Sequence, residues 1–239
     1  MVLDETKRPA LDNVSLAVRR GEILGVAGVE GNGQGELIEA ILGLRSIEDG
    51  GQILLDGEEI STWSVRRRRE ALIGYVPEDR HRRGLLLDAP LWENAMLGHQ
   101  TMEPFARGPL LDRRRSREAT TRIVKDFDVR TPSIDTSARA LSGGNQQKLV
   151  LAKWLQRNCE VIVIDEPTRG IDVGAKYEIY LLINELAAAG KAIVMISSEL
   201  PEVLGIADRV LVMRQGRVSG EIDDPQNATQ EQVMELAAN

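Results

Sequence analysis

Residues 28–35 read Gly-Val-Glu-Gly-Asn-Gly-Gln-Gly, and the rest of the chain is organised around this glycine-rich stretch. An apolar run at 23–27 precedes it, and a run of helical character follows it at 36–42. A strand, a glycine-rich loop and a helix in this order are the layout of a phosphate-binding loop. The layout of this stretch is therefore typical of a loop that binds phosphate.

The loop departs from the usual phosphate-binding pattern at its two most reactive positions. Gly28 and Gly33 have the spacing of G-x-x-x-x-G-K-[ST], but Gln34 stands in place of the Lys and Gly35 in place of the Ser or Thr. A dinucleotide fingerprint, G-x-G-x-x-G, would need glycine at 36, where Glu36 stands. The loop alone leaves two interpretations open, a phosphate site and a tight turn that binds nothing.

The composition indicates an acidic α/β protein with a sizeable core. The chain has 239 residues, of which 42% are hydrophobic, enough for one large domain or a core with a lobe. Its formal net charge of −7 argues against a general nucleic-acid binder. The single cysteine rules out a disulfide framework within the chain and fits a reducing compartment. A run of about 18 apolar residues is lacking, so direct insertion into a membrane is not expected.

Strand and helix patterns alternate along much of the chain, which predicts a largely parallel sheet. The predicted strands lie at 11–18, 23–27, 52–57, 73–76, 161–164 and 192–196, with a hairpin at 209–213 and 218–222. The predicted helices lie at 36–42, 64–71, 113–127, 142–156 and 173–189. Because strand signals are nearly absent from residues 78–140, we interpret that segment as a mostly helical lobe inserted into the core.

Two carboxylates, Asp165 and Glu166, follow the apolar strand 161–164 and precede Pro167. In phosphoryl transfer an Asp at such a position organises Mg²⁺, and the next acid can orient the attacking water. The alternative is a pair of solvated acids where a strand meets a loop. The phosphate-loop pattern earlier in the chain favours the functional interpretation.

Residues 141–148 read Leu-Ser-Gly-Gly-Asn-Gln-Gln-Lys and open a predicted helix. Ser142 is a suitable N-cap. Gly143 and Gly144 leave backbone N–H groups uncovered at the positive end of the helix, where an anion can bind. A helix cap alone needs neither two glycines nor a run of amides, so the pattern favours an anion site.

Together these stretches resemble the nucleotide-binding domain of an ABC transporter. Residues 141–147 are similar to the signature motif of the family, 165–166 to its Walker B motif and 169–172 to its D-loop, and 73–78 fall where its Q-loop begins. The resemblance extends from about residue 11 to about residue 222. It implies a P-loop NTPase α/β core with a small antiparallel β portion near the N-terminus and an inserted helical lobe.

At finer grain, the chain resembles the second, C-terminal cassette of the tandem ATPases that drive simple-sugar and nucleoside importers. The stretches that carry this likeness are 74–84, 165–175 and 197–204, and residues 28–34 look closest to the nucleoside branch. We therefore expect one ATP-binding domain over residues 1–239, with its core at about 1–77 and 141–239 and its lobe at about 78–140.

The resemblance implies that ATP and Mg²⁺ are the cofactors. The residues that it assigns to the nucleotide are Gly28, Gly31, Asn32, Gly33, Gln34, Gly35, Ser142, Gly143, Gly144, Gln146 and Asp172. It assigns the metal to Asp165, and the catalytic positions to Glu166, Ser198 and Glu78.

Four of these positions depart from the working pattern of the family, which has Lys, Ser or Thr, Gln and His where this chain has Gln34, Gly35, Glu78 and Ser198. The aromatic residue that usually stacks on adenine is also missing, because the first 62 residues contain none. Removing one preorganised electrostatic group typically costs about 10²–10³ in rate. We expect little hydrolysis in this chain's own loop, although its backbone donors and helix dipole favour some nucleotide binding.

The signature motif at 141–147 is intact, and in this family it closes over the nucleotide held by the other cassette. The leading hypothesis is therefore an asymmetric pair, in which this chain completes the ATP site of a partner cassette, the first half of the same tandem ATPase. Transmembrane permease subunits are the other expected partners, at the cytoplasmic face of the cell membrane, and nucleic acid is not expected. The alternatives are an active ATPase that works as a homodimer and a non-transport ATPase of the ABC class.

The length suggests an excised half, since a tandem ATPase would be about twice as long. The basic run 66–69 is interpreted as a solvated helix face, and the run 80–83 as either a solvated loop or a partner contact. His81 and His99 lack metal-ligand spacing.

Overall fold

A computed structural model describes residues 1–3, 7–48, 50–108, 110–155 and 159–238. The strands in these residues are β1 (Val2–Leu3), β2 (Pro9–Leu11), β3 (Ile23–Gly28), β4 (Leu54–Leu55), β5 (Glu58–Glu59), β6 (Ile73–Val76), β7 (Ala106–Arg107), β8 (Leu110–Leu111), β9 (Val161–Asp165), β10 (Ala192–Ile196), β11 (Arg209–Arg214) and β12 (Arg217–Ile222). The helices are α1 (Gln34–Leu42), α2 (Val65–Glu70), α3 (Leu91–Met96), α4 (Arg113–Asp126), α5 (Gly143–Leu155), α6 (Val173–Ala188), α7 (Leu200–Ile206) and α8 (Gln230–Ala238).

The central sheet has six strands in the order β12-β11-β3-β10-β9-β6. β3 pairs in parallel with β10 and β11, and β10 pairs in parallel with β9, whereas β12 is antiparallel to β11. β10 is buried throughout and β3 in all but its last residue, as expected of strands covered on both faces. β1 with β2 and β4 with β5 form separate antiparallel pairs. These features confirm the predicted α/β class and its small antiparallel portion.

The chain divides into two compact units. Unit 1 holds the residues up to Tyr75, Glu160–Glu166 and those from Ile183 onwards, and so contains β3, β9, β10 and β11. Unit 2 holds Val76–Cys159 and Pro167–Leu182, and so contains α3, α4 and α5. Among the described residues, no helix combines the length and the apolar character needed to cross a membrane.

Most predicted elements of the core are confirmed. β6 and β10 have the predicted bounds, and the predicted hairpin is formed by β11 and β12. α6 ends one residue before the predicted position. α5 begins at Gly143, and its predicted end at 156 lies outside the described residues.

Two predicted strands are wrong in extent. Of residues 11–18 only the first belongs to a strand, β2, and of residues 52–57 only the two of β4 do. Residues 12–18 do alternate between half-buried and exposed, and their apolar side chains pack against the core cluster of unit 1. Alternation shows which face is buried but does not show that the backbone joins a ladder. A short hairpin of β7 and β8 also occurs where strand signals are nearly absent.

The interpretation of the basic run 66–69 as a solvated helix face is wrong for Arg68. Its neighbours in the run are exposed, but Arg68 is only 2% exposed. The guanidinium donates to the carbonyl groups of Ala40 at 2.7 Å and Ile41 at 2.6 Å, at the C-terminus of α1, and to Ser61 O at 2.9 Å. Arg68 therefore adds a side-chain donor at the end of α1, both to Ile41 O and to Ala40 O, which also accepts from Gly43 N at 3.1 Å.

We expect Arg68→Met to lower the free energy of unfolding by about 3 kcal/mol, because a hydrogen bond from a charged donor contributes about 1.5–3 kcal/mol and the buried Arg68 donates to several carbonyl groups. The measurement is the midpoint of urea unfolding followed by circular dichroism. Arg66→Met is the matched control, since Arg66 lies in the same helix, is exposed and forms a surface ion pair with Glu70. A midpoint shift equal in the two variants would contradict the capping role of Arg68.

Candidate functional site

The predicted phosphate loop, Ser198 and Glu166 follow three neighbouring strands of unit 1. β3, β10 and β9 are adjacent and parallel, so their carboxyl ends lie at one edge of the sheet. In open α/β sheets, ligands bind in the crevice outside these ends. Gly28, Glu30 and Ser198 line a cavity of about 570 Å³ at this edge. The fold thus brings together these residues, which are far apart in sequence.

The glycine loop has a backbone that needs glycine. Gly31 and Gly33 have φ values of 87° and 105°, in the left-handed region that other residues rarely adopt. Gly33 is the N-cap of α1, and among the described residues no side chain caps this helix. The N-terminus of α1 is therefore available to an anion, as the strand–loop–helix pattern predicts.

Asn32 connects the glycine loop by hydrogen bonds to the end of β11 and to the turn between β11 and β12. Its Nδ2 donates to Met213 O at 3.2 Å, and its Oδ1 accepts from Gln215 N at 3.0 Å. Its main-chain carbonyl accepts from Gly216 N at 3.0 Å. The assignment of Asn32 to the nucleotide stays a prediction, and the contacts give this residue a structural role that the sequence did not reveal.

Gln34 folds back over the glycine loop. Its Nε2 donates to Val29 O at 3.2 Å, and a Cβ added at Gly28 would lie 2.6 Å from the same Nε2. The Gln34 amide therefore lies against the loop backbone where the phosphate pattern has a Lys. Gly35 faces open space, because a Cβ added there would have no neighbour within 4 Å.

The electrostatics of this region are acidic. From Gly21 to Leu44 the sequence has four acids, Glu22, Glu30, Glu36 and Glu39, and no Lys, Arg or His. Glu22 is paired with Arg209 and Glu39 with Arg45, so Glu30 and Glu36 are the acids that matter at the loop. Within this stretch, a phosphate would thus be attracted by the backbone N–H groups and by the dipole of α1.

Asp165 and Glu166 stand at the end of β9. Tyr75 donates its hydroxyl hydrogen bond to Asp165 Oδ2 at 3.3 Å. Glu166 has a left-handed backbone with φ 48°, and its carboxylate accepts from Ser198 N at 2.7 Å. Burial raises the pKa of the Glu166 carboxyl above its ordinary value, the Ser198 N–H opposes this shift, and the Glu202 carboxylate adds to it. A raised pKa suits a carboxylate that accepts a proton.

The signature residues lie in unit 2, at the start of α5. Ser142 Oγ accepts from Asn145 N at 3.4 Å and from Asn145 Nδ2 at 2.9 Å, so the predicted N-cap is confirmed. Ser142 is exposed, which leaves it accessible from outside the chain.

Gly143 and Gly144 also have a packing role. A Cβ at Gly143 would lie 3.0 Å from Arg80 Nη2 and 3.2 Å from Gly170 O. A Cβ at Gly144 would lie 2.6 Å from Ala175 Cβ. Close contact inside unit 2 therefore accounts for both glycines, in addition to any contact with an anion.

Gln146 is buried, and its side-chain amide is used within unit 2. Its Oε1 lies 3.2 Å from Arg80 Nε and 2.8 Å from His81 Nε2, and its Nε2 donates to Ala138 O at 3.0 Å. The assignment of Gln146 to the nucleotide stays a prediction, but these contacts give it a role in holding the signature helix.

The two acids of unit 2 that were assigned to the site have local partners. Glu78 forms an ion pair with Arg169. Asp172 caps α6, because its Oδ1 accepts from Ala175 N at 3.0 Å. Their assigned roles toward nucleotide stay predictions.

The side chains fit Mg²⁺–nucleotide only in part. Asp165 supplies a carboxylate at a strand end, and Mg²⁺ in such sites takes one or two carboxylates together with phosphate oxygens and water. Within the described residues, no group of three or more His, Cys, Asp and Glu side chains forms a metal site of its own. Gly35 offers no hydroxyl and Gln34 no charge, so a bound metal would rely on Asp165 and on the ligand itself.

Comparison with known proteins identifies the family of this chain. A family model described as ABC transporter matches residues 11–169, more than half of the chain. Ribose import ATP-binding protein RbsA 1 of Streptomyces avermitilis is 49% identical over 234 residues, covering 98% of this chain and 44% of that protein. A putative ribose/galactose/methyl galactoside import ATP-binding protein of Burkholderia lata is 49% identical over 229 residues, covering 95% of this chain and 44% of that protein. This chain thus spans a little under half the length of these curated relatives.

Solved structures share the fold at low sequence identity. A nucleotide-free ATP-binding cassette from an ABC transporter superposes with a TM-score of 0.83 at 23% identity, covering 100% of this chain and 96% of that one. The ADP conformation of the ATP-binding cassette MJ1267 gives a TM-score of 0.81 at 23% identity, covering 98% and 94% of the two chains. The chain therefore belongs to the ABC transporter family, and it has the mixed α/β P-loop NTPase fold of an ABC ATP-binding cassette.

Proposed function

We propose that this chain is the ATP-binding cassette of a sugar importer, and that its signature motif completes an ATP site whose phosphate loop lies on a partner cassette. The relatives named above for ribose and for ribose, galactose and methyl galactoside import support a sugar as the solute and favour it over a nucleoside. Each relative is about twice as long as this chain, which leaves room for a second cassette in the same polypeptide.

The observation that carries this proposal is the position of Gln34. Its amide donates to Val29 O and lies over Gly28, on the surface where a nucleotide phosphate would rest. A Lys at this position would bring a positive charge to the β- and γ-phosphates, and the Gln brings none.

The missing charge is large on the scale of binding free energies. Two opposite unit charges about 4 Å apart attract by roughly 4 kcal/mol at an effective dielectric of 20. Glu30 and Glu36, within and next to the loop, make the local potential still less favourable for a polyphosphate. The loop of this chain is therefore the weaker half of an asymmetric pair, with Asp165 as its remaining Mg²⁺ ligand.

The signature residues of this chain are placed where a partner's ATP could contact them. Ser142 is exposed at the positive end of α5, and Asp172 is exposed at the start of α6. Backbone N–H groups at a helix N-terminus stabilise a phosphate without help from a charged side chain. On this proposal Ser142, Gly143 and Gly144 contact the ATP held by the partner, and Glu166 and Ser198 belong to the weaker site.

The remaining assignments follow from this role. Permease subunits bind the assembly at the cytoplasmic face of the cell membrane, and the chain itself does not insert into the bilayer. The chain forms one ATP-binding domain whose helical lobe lies at about 78–140. ATP with Mg²⁺ is the nucleotide substrate of the assembly.

We expect Ser142→Arg to lower transport-coupled ATP hydrolysis of the complete assembly by at least about 100-fold, because it blocks a preorganised phosphate contact. Glu166→Gln should lower the same rate by less than about fivefold, because it affects the site with little turnover. The measurement is phosphate release in proteoliposomes that contain this chain, its partner cassette and the permease. If Glu166→Gln is the more severe variant, the asymmetry is reversed and the proposal fails.

The double variant Gln34→Lys with Gly35→Ser should bind a fluorescent ATP analogue at least about tenfold more tightly than the unchanged chain in the presence of Mg²⁺. The new Lys supplies the missing charge, and the new hydroxyl enters open space beside position 35. The measurement is a fluorescence titration of the isolated chain.

Gln34→Leu is the control for this titration, because it removes the bond to Val29 without adding a charge. The Gln34–Val29 bond is exposed and so belongs at the weak end of the range for neutral hydrogen bonds, about 0.5 kcal/mol, which corresponds to a change in affinity of only about twofold. Equal tightening by Gln34→Leu would show that the amide itself, and not the missing charge, weakens the site. Robust ATP turnover by the unchanged isolated chain would contradict a degenerate loop.

A further inference from the structure

A buried arginine lies in the turn that follows β6. Arg80 opens a short π-helical turn, Arg80–Gly84, and is only 9% exposed. The Asp79 carboxylate accepts from the N–H groups of His81 at 3.0 Å and Arg82 at 3.1 Å, which fixes the start of the turn. The far end is fixed by α5, because Lys153 Nζ donates to Gly84 O at 2.7 Å. The turn is therefore held at both ends within unit 2.

The guanidinium of Arg80 joins two parts of the proposed partner-facing surface. Its Nη1 donates to Arg169 O at 2.7 Å and its Nη2 to Gly170 O at 3.1 Å. Its Nε donates to Gln146 Oε1 at 3.2 Å, on the signature helix α5. A planar guanidinium presents its N–H donors in a fixed fork, whereas the three donors of an ammonium group rotate about the end of a flexible chain.

The start of α5 packs closely against the Arg80 guanidinium. A Cβ at Gly143 would lie 3.0 Å from Arg80 Nη2 and 3.2 Å from Gly170 O. The first residue of the signature helix therefore packs directly on the guanidinium and on the loop that the guanidinium binds. Residues 169–172 and the signature helix form one continuous packed group around Arg80.

An ion pair between Glu78 and Arg169 lies at the edge of this group. Both side chains are substantially exposed, 44% for Glu78 and 63% for Arg169, so the pair stabilises the fold little. It nevertheless attaches the segment just before Arg80 to the loop whose carbonyl groups Arg80 binds. Glu78 thus has a local partner at the position where the family has a Gln.

We propose that Arg80, assisted by the Glu78–Arg169 pair, is a positioning residue for the partner's ATP. By binding Gln146 and the carbonyl groups of Arg169 and Gly170, it fixes the loop 169–172 relative to the start of α5. Ser142 and Asp172 are exposed at the ends of these two segments. Their positions relative to each other are then fixed when they contact the partner's nucleotide site. This inference rests on the function proposed above.

A displacement of about 1 Å in a positioning group can cost about 100-fold in rate. Loss of Arg80 removes three hydrogen bonds from this junction, so the signature helix and the loop become free to shift relative to each other. The nucleotide contacts of the partner's phosphate loop are not changed. Turnover should therefore fall while the affinity for ATP is nearly preserved.

The test measures ATP hydrolysis against ATP concentration in the complete assembly of this chain, its partner cassette and the permease. Arg80→Gln should lower kcat at least about tenfold and leave KM within about twofold, the pattern of an interaction that matters mainly in the transition state. Arg80→Lys, which keeps the charge but not the fork of donors, should be intermediate. Arg66→Gln, at an exposed arginine of α2, should stay within about twofold of the unchanged rate.

Ser142→Arg in the same assay separates the inference from the function on which it rests. If Ser142→Arg abolishes turnover and Arg80→Gln leaves kcat unchanged, the positioning role is overturned and the proposed function stands. If Ser142→Arg leaves turnover unchanged, both are overturned. A fall in the amount of assembled complex with unchanged kcat per complex would show that Arg80 only stabilises the fold, and would also overturn the inference.

A charge exchange on the exposed pair provides a second test that does not disturb a buried group. Glu78→Arg and Arg169→Glu should each lower kcat about threefold or more, and the double variant should recover to within about twofold, as coupled residues do in a double-mutant cycle. Failure of the double variant to recover would overturn the part assigned to this pair.

Discussion

The parallel ladder of β9, β10 and β3 is the constraint on which the site in unit 1 depends. Residues 161–165, 192–196 and 23–28 pair in register, so the segments that follow them emerge at one edge of the sheet. Glu166 reaches Ser198 N at 2.7 Å only because β9 and β10 are neighbours. The left-handed backbone of Glu166 then turns its carboxylate across the strand ends. Strand order therefore determines which side chains can act together.

Both buried arginines, Arg68 and Arg80, donate to main-chain carbonyl groups of another segment. Arg68 bonds the last carbonyl groups of α1, and Arg80 bonds those of the loop at 169–170. Neither contact involves a carboxylate, so each arginine works as a multiple hydrogen-bond donor more than as half of an ion pair. Buried charge of this kind is tolerated because several acceptors share it.

How much of this could be read from the sequence differs from residue to residue. The buried strands were predictable because apolar runs such as 192–196 permit little else, and Ser142 was predictable as an N-cap from its type and place. Nothing within the runs 66–69 and 80–83 distinguishes the arginine that turns inward. The contacts of Asn32 with Met213 and Gln215 span more than 180 residues, so local pattern cannot reveal them. The hydrogen bond from the Gln34 amide to Val29 was equally unpredictable, because sequence periodicity does not reveal which rotamer a side chain adopts.

The close approach of Gly144 to Ala175 changes what an intact signature motif means. With 2.6 Å between an added Cβ and the Ala175 Cβ, alanine at 144 would push α5 and α6 apart whether or not ATP is ever bound. A cassette that had lost all catalytic use could thus keep both glycines for the sake of its own packing. In chains of this architecture, the serine before the glycines is therefore the more telling marker of a working signature motif, because its side chain is exposed and its structural role as an N-cap could be filled equally by Asp, Asn or Thr.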